Sequence, residues 1–247
     1  IGLTHFATFF RSPMFSRLLK NTLSLSVYQL AASFPLPIIL AIAINESRLK
    51  RFKKVVQTVT YAPHFISMVV FISMVHQVLS LRSGLVNNMI TGLGGESVHF
   101  MGMPQLFQSI YVWSGVWQNT GYAAIIYLAA LAGIDPTLHE AAIVDGATQL
   151  QRIRHIDLPG ILPTIVILLI LNAGQIMNVG FEKVFLLQNP LNIPRSEVIA
   201  TYVYQVGLVG GNFSFSAAVG LFNSIVNFAL IISVNAIAKR VGETSLW

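Results

Sequence analysis

Charge is scarce in this sequence, and cysteine is absent. Only 10% of the 247 residues are Asp, Glu, Lys or Arg, against about 25% in a soluble globular domain. Hydrophobic residues reach 54%, and the mean hydropathy is +0.69. A soluble enzyme, a disordered tail and a nucleic-acid binder are disfavoured on these grounds. The lack of cysteine excludes disulfides, thiolate metal sites and cysteine nucleophiles. No Gly-Lys dipeptide occurs, so there is no phosphate loop of the G-x-x-x-x-G-K-[ST] kind and no ATP hydrolysis by that route.

Charge is also missing from five apolar runs of the length a membrane-spanning helix needs. They cover residues 21–45, 55–79, 106–131, 158–180 and 213–238. Backbone facing lipid must satisfy its own hydrogen bonds, so the runs are expected to be helices. Pro35 and Pro37 should kink or break the first, and Pro63 can do the same to the second. Ser216, Gly220, Asn223 and Asn227 recur at helical spacing on the fifth, which suits helix packing or a cavity wall. Without an intramembrane Asp, Glu, Lys or Arg, a proton-coupled carrier is disfavoured. His64 and His76 stand near run ends, where hydrogen-bonded structural histidines are the more ordinary reading. No metal-ligand spacing and no Ser/His/Asp constellation stands out.

What charge there is falls between the runs. The loop 46–54 carries five positive residues in nine: Arg48, Lys50, Arg51, Lys53 and Lys54. Excess Lys and Arg mark cytoplasmic loops. Alternation then places 80–105 and 181–212 outside, 132–157 inside and the C-terminal tail, with Lys239 and Arg240, inside. A chain with this topology that starts inside needs one more span before Ile1. Residues 1–20 would then form an external, partly amphipathic segment. The bias is modest over the whole chain, and the orientation rests mainly on the dense loop 46–54. No repeat or linker divides the chain, so 1–247 is expected to be one membrane domain.

The loop 132–157 reads Asp135-Pro-Thr-Leu-His-Glu140-Ala-Ala-Ile-Val-Asp145-Gly-Ala147, then continues to Ile156-Asp-Leu-Pro159. Asp135 can cap a helix and Pro136 suits its first turn. A short helix over 137–145 should follow, and Gly146 permits a sharp turn. Pro159 is expected to open the next membrane helix. Taken alone, this helix could be a mere connector. However, Glu140-Ala141-Ala142, Gly146 after three residues, and Ile156-x-Leu158-Pro159 after nine more resemble the EAA loop of ABC importer permeases.

Further phrases resemble the carbohydrate-uptake permeases related to the maltose system, in particular their LplB-like polysaccharide and oligosaccharide branch. They are Lys20-Asn-Thr-Leu-Ser-Leu-Ser26, Gln57-Thr-Val-Thr-Tyr61-Ala-Pro-His-Phe-Ile-Ser67, Tyr127-Leu-Ala-Ala-Leu-Ala-Gly-Ile-Asp135, Thr201-Tyr-Val-Tyr204 and Ser245-Leu-Trp247. The resemblance implies an all-α transmembrane bundle of the type I importer kind, with an additional N-terminal helix. It implies a coupling helix in which Glu140, Ala141, Ala142, Asp145, Gly146 and Ala147 contact an ATP-binding subunit. It also implies a second homologous permease, two ATP-binding subunits holding ATP and Mg, and an external solute-binding protein. No cofactor and no metal is expected on this chain, and no nucleic acid among its partners. Its expected place is the bilayer of a bacterial cytoplasmic membrane.

A sugar path needs amides beside aromatic surfaces. Trp113, Trp117, Gln118, Asn119 and Tyr122 offer these on the third run. Asn172, Gln175 and Asn178 offer them on the fourth, and Asn223 and Asn227 share a face of the fifth. The ordinary alternative is that the amides join helices to each other and the tryptophans sit at the membrane interface. An ATP-independent facilitator also explains charge-free spans, but not the EAA-like loop. A membrane-embedded enzyme would need a polar catalytic cluster that the sequence does not display.

Overall fold

A computed structural model describes residues 2–47 and 49–241. Arg48 of the basic loop and the C-terminal Ser245-Leu-Trp247 lie outside the described residues, as does the side chain of Arg240. The described chain is helical, with no strand. It opens with α1 (Thr4–Arg11) and α2 (Pro13–Ser33), followed after Phe34 by α3 (Pro35–Glu46). Pro35 and Pro37 therefore fall in the first turn of α3, where a missing N–H costs little. Pro13–Glu46 runs on as 34 helical residues, beginning ahead of the expected start at 21. Alternation of the runs made that stretch read as an external surface segment. Instead Leu18 is fully buried and Arg17 pairs with Glu197.

The second apolar run is broken. α4 (Lys50–Tyr61) ends in a 3-10 turn, Ala62–Phe65, and α5 (Met68–Val78) follows. The break falls around Pro63, whose ring cannot continue an ordinary helix. The 11 residues of α5 rise about 16 Å, roughly half the hydrocarbon thickness of a bilayer. α6 (Leu85–Gly92) then leads to the 26-residue α7 (Phe107–Ala132) and the short α8 (Pro136–Val144). α9 (Gln149–Arg152) continues through a π segment, Ile153–Asp157, into α10 (Leu158–Ala173). Three short helices follow: α11 (Phe181–Leu187), α12 (Ile193–Ser196) and α13 (Ile199–Val203). The last is α14 (Phe213–Val241).

Two expected boundaries are corrected. Pro159 does not start the helix, which is already running at Gln149 and spans Gln149–Ala173. Proline lacks the N–H that would return to residue 155, and its ring crowds that carbonyl. The turn before it widens into the π segment instead of breaking. The fourth run was expected to reach 180, but the helix stops at Ala173 and the residues to Gly180 form turns. Among the described residues, three helices are long and apolar enough to cross a membrane: Pro13–Glu46, Gln149–Ala173 and Phe213–Lys239. The count reaches five if each of the pairs α4/α5 and α7/α8 is one span.

The chain forms two compact units. One comprises the residues up to Leu30, Ile66–Ser114 and Gly174–Leu230. Its core joins Phe9, Leu18, Met177, Ile199, Phe215 and Val219. Asn21 ties α2 to the carbonyls of Pro194 and Glu197, and Thr22 accepts from the N–H of Ile199. The other unit comprises Ala31–Phe65, Gly115–Ala173 and the residues from Ile231 onward. Its core is Ala41, Ala124, Tyr127, Leu131 and Ile161. Gly121 of α7 meets the backbone carbonyl of Thr60 on α4 so closely that no Cβ fits there.

Candidate functional site

The loop between α7 and α10 is built by local backbone chemistry. Oδ1 of Asp135 accepts from the N–H of Thr137 at 2.9 Å, and Pro136 fills the first position of α8. That hydrogen bond holds the Asp135 carboxyl below the usual range. At the other end the N–H of Gly146 donates to Ile143 at 3.0 Å and that of Ala147 to Ala142 at 2.8 Å. With Gly146 at φ +78°, these two bonds form the Schellman closure of a helix. The spacing from Ala142 to Gly146 and Ala147 is therefore a stop signal with a mechanism. The helix covers Pro136–Val144, one residue earlier at each end than the expected 137–145.

α8 leaves α7 at 71° and buries none of its own residues. Glu140, Ala141, Asp145 and Gly146 are exposed, and Ala142 and Ala147 are half-buried. Leu138, Ile143 and Val144 are also exposed. Beside the turn lies an open hollow of about 350 Å³, lined in part by Ala142, Gly146, Ala147 and His155. Thr148 then caps α9 through a reciprocal pair of bonds with Gln151. Sequence reasoning passed over one contact here. Nε2 of His139, on α8, stands 3.4 Å from Oδ1 of the fully buried Asp157. An Asp two residues before Pro159, at the edge of an apolar run, was the available signal.

The amides and aromatics of the expected sugar path divide between the two units. In the first, Trp113 is exposed and its Nε1 donates to the hydroxyl of Tyr28 at 2.9 Å. Asn178 and Gln175 lie in the turns after α10, not on a helix, and both are exposed. Oδ1 of Asn178 accepts from Asn223 at 3.0 Å and from Asn227 at 3.1 Å. Oδ1 of Asn227 in turn accepts from the N–H of Met177 at 3.0 Å. The pair on α14 thus does share a face, and Asn227 satisfies a backbone N–H set free where α10 ends.

Lys183 sits in the same unit and is only 6% exposed. Its Nζ donates to the carbonyl of Tyr111 at 2.8 Å and lies 4.7 Å from the centre of the Tyr111 ring. Burial pushes its pKa down to about 7. His76 contacts the carbonyl of Leu186 at 3.3 Å.

In the second unit, Trp117 is 56% exposed, whereas Gln118 is buried. Asn119 meets Nδ1 of His64 at 3.0 Å through its Oδ1 and donates to the Gly115 carbonyl through its Nδ2. The His64 ring stacks on Tyr122 at 3.8 Å between centroids. Asn172 is exposed and bonds back to Leu168 of its own helix. On α7, Trp117 and Asn119 differ by about 200° of helix rotation, so they do not share a face.

The exposed closed-off helix between spans, with its EAA pattern, defines the membrane component of a transporter driven from outside its own chain. Accordingly, the chain belongs to the family described as binding-protein-dependent transport system inner membrane component, whose model matches residues 33–243. It is 44% identical over 247 residues to the polygalacturonan/rhamnogalacturonan transport system permease protein YteP of Bacillus subtilis (strain 168), covering 100% of this chain and 77% of that one. It is 41% identical to Protein LplB of the same organism, covering 100% of this chain and 78% of that one. Among solved structures, it matches a chain of a bacterial alginate ABC transporter in complex with an alginate pentasaccharide-bound periplasmic protein. That match has a TM-score of 0.96 and 43% identity, covering 100% of this chain and 85% of that one. The chain is thus a permease subunit of an ABC importer and is not itself the ATPase, which resides on separate subunits.

Proposed function

We propose that this chain forms half of the translocation path for oligosaccharide fragments of an acidic polysaccharide. Its helices carry the sugar, and the loop around α8 receives the stroke of an ATP-binding subunit. The observation that carries this reading is the likeness of all 247 residues to a chain of the alginate transporter, at 43% identity and a TM-score of 0.96. Alginate is described as an acidic polysaccharide, and polygalacturonan is a polymer of a uronic acid.

In this reading residues 1–247 act as one permease domain of a bacterial cytoplasmic membrane. The partners are a second homologous permease, two ATP-binding subunits holding ATP and Mg, and an external binding protein that delivers the sugar. The basic residues around α4 and the EAA-like loop face the cytoplasm, and so does the C-terminus. Glu140, Ala141, Ala142, Asp145, Gly146 and Ala147 form the contact with the ATP-binding subunit. Trp113, Trp117, Asn119, Tyr122, Asn172 and Gln175 offer stacking surfaces and amides to the sugar. Asn178, Asn223 and Asn227, hydrogen-bonded to one another, are offered to the same path.

The test is uptake by the reconstituted importer in liposomes, with ATP inside and binding protein outside. Uronate oligosaccharides should accumulate in an ATP-dependent manner, and neutral oligosaccharides of equal length should compete poorly. Equal transport of neutral sugars would remove the acidic substrate class. Accumulation without ATP would remove the importer role.

A further inference from the structure

α8 buries none of its own residues, yet a coupling element must be gripped by its own chain if it is to move anything. The grip on this helix is narrow. Asp135 and the Gly146 turn close its two ends through local bonds. From its middle, the side chain of His139 reaches Asp157, 3.4 Å away, on the π segment that continues into α10. Asp157 has 0% exposure, and neither carboxylate oxygen accepts a hydrogen bond from a described residue. A buried polar group with no hydrogen bond is costly, and the side chain facing it across 3.4 Å is His139. Burial raises the Asp157 pKa; His139 and, more weakly, Arg152 act against that rise, and Glu46 adds to it. Nη2 of Arg152 itself stands 3.7 Å from Glu46 at the end of α3.

We propose that His139 is a positioning residue of the import cycle. By holding Asp157 it fixes α8 to the base of α10, so that displacement of α8 is passed into that helix. The second pair, Arg152 with Glu46, carries the same displacement to α3. Withdrawal of His139 alone would strand a buried carboxylate, so α8 and the π segment move together and not past one another. This inference rests on the reading of α8 as the coupling helix. It adds a link on the permease side, distinct from the residues that face the ATP-binding subunit.

The experiment uses the complete importer, with uptake and ATP hydrolysis measured on the same preparation. His139→Ala should assemble with its partners and hydrolyse ATP, while sugar taken up per ATP falls by roughly 2- to 30-fold. His139→Gln, which keeps a polar side chain facing Asp157, should restore most of that ratio. The double variant His139→Ala, Asp157→Asn discharges the buried carboxylate without rebuilding the link, and it should remain uncoupled. If the double variant recovers full coupling, charge burial explains His139 and the link is wrong. Asp157→Leu cuts the same link from the other side without leaving a buried charge, and it should lower uptake per ATP even if His139→Ala does not assemble. Wild-type uptake per ATP in Asp157→Leu overturns the proposal. A Gly146→Asp complex in the same assay separates the two levels. Uncoupling there, with wild-type behaviour in both His139→Ala and Asp157→Leu, refutes only the link. Wild-type behaviour in Gly146→Asp refutes the coupling reading and the link with it.

Discussion

The backbone N–H of Ala147 reaches the carbonyl of Ala142 at 2.8 Å, and this bond ends α8. It requires the intervening Gly146 to stand at φ +78°, a left-handed conformation that costs an ordinary side chain about 1–2 kcal/mol. Among the described residues, nothing beyond its two chain neighbours lies within 4 Å of a Cβ placed there. Gly146→Ala should therefore destabilise the turn only through its backbone angle, and Gly146→Asn should do so less, because Asn visits that region readily. Hydrogen exchange of the Ala147 amide in the purified importer checks this order. Equal protection in the glycine and alanine forms would contradict it.

Asn227→Ala should act on stability. It removes the acceptor of the buried Met177 N–H and a donor to Asn178. A buried donor left unpaired costs about 1–3 kcal/mol. The thermal midpoint of the purified importer should fall, and so should its yield. An unchanged midpoint would mean that the turn after α10 does not depend on α14.

Gln175→Ala and Trp117→Ala should act on transport. Both side chains are exposed, so their loss should leave assembly intact. One hydrogen bond to a sugar hydroxyl is worth about 0.5–1.5 kcal/mol, or roughly 2- to 13-fold in sub-saturating uptake. If both variants take up sugar at wild-type rates, these residues do not line the path.

Much of this was legible from composition and spacing. Charge-free runs announced the helices, Pro63 announced the break before α5, and Asp135, Pro136 and Gly146 announced both ends of α8. What could not be read was tertiary. Alternation of the runs made residues 1–20 an external segment, but that Arg17 pairs with Glu197, 180 residues away, could not be read from spacing. Hydropathy carried the fourth run through Gly174 and Asn178 to 180, since an average over apolar neighbours hides turn formers. Asn178, Asn223 and Asn227 could be read either as amides for a sugar or as amides joining helices. Their partners are one another, across 45 and 49 residues of chain. Pro159 looked like a helix start, but a π segment absorbs it.

Gly121→Ala should impair folding. Its Cβ would collide with the carbonyl of Thr60, a backbone atom that cannot swing aside. Overpacking of this kind costs about 1–3 kcal/mol or more. Membrane yield and thermal midpoint should both drop, and a wild-type midpoint would show that α4 and α7 can separate at this point without cost.

Lys183 should give the importer a pH-dependent stability. Its folded-state pKa is lowered from 10.5 to about 7 by burial. Between those values the unfolded chain binds more protons than the folded one, so stability rises with pH across the window. The penalty is fully present below about pH 7. Lys183→Met should flatten that rise and raise the midpoint at the acidic end. Parallel curves for the two proteins would contradict a buried, depressed Lys183.

The central claim is that the exposed helix ending at Gly146 couples ATP hydrolysis to sugar movement, and Gly146→Asp tests it most directly. Asp tolerates the left-handed angle, and space is open around the position, so the chain should insert and fold. The substitution places bulk and charge on the surface offered to the ATP-binding subunit. The measurement is ATP hydrolysis and sugar uptake by the same reconstituted complex. The account predicts that the ATP-binding subunits are lost or that their hydrolysis no longer drives uptake. Wild-type uptake by a fully assembled Gly146→Asp complex would contradict it.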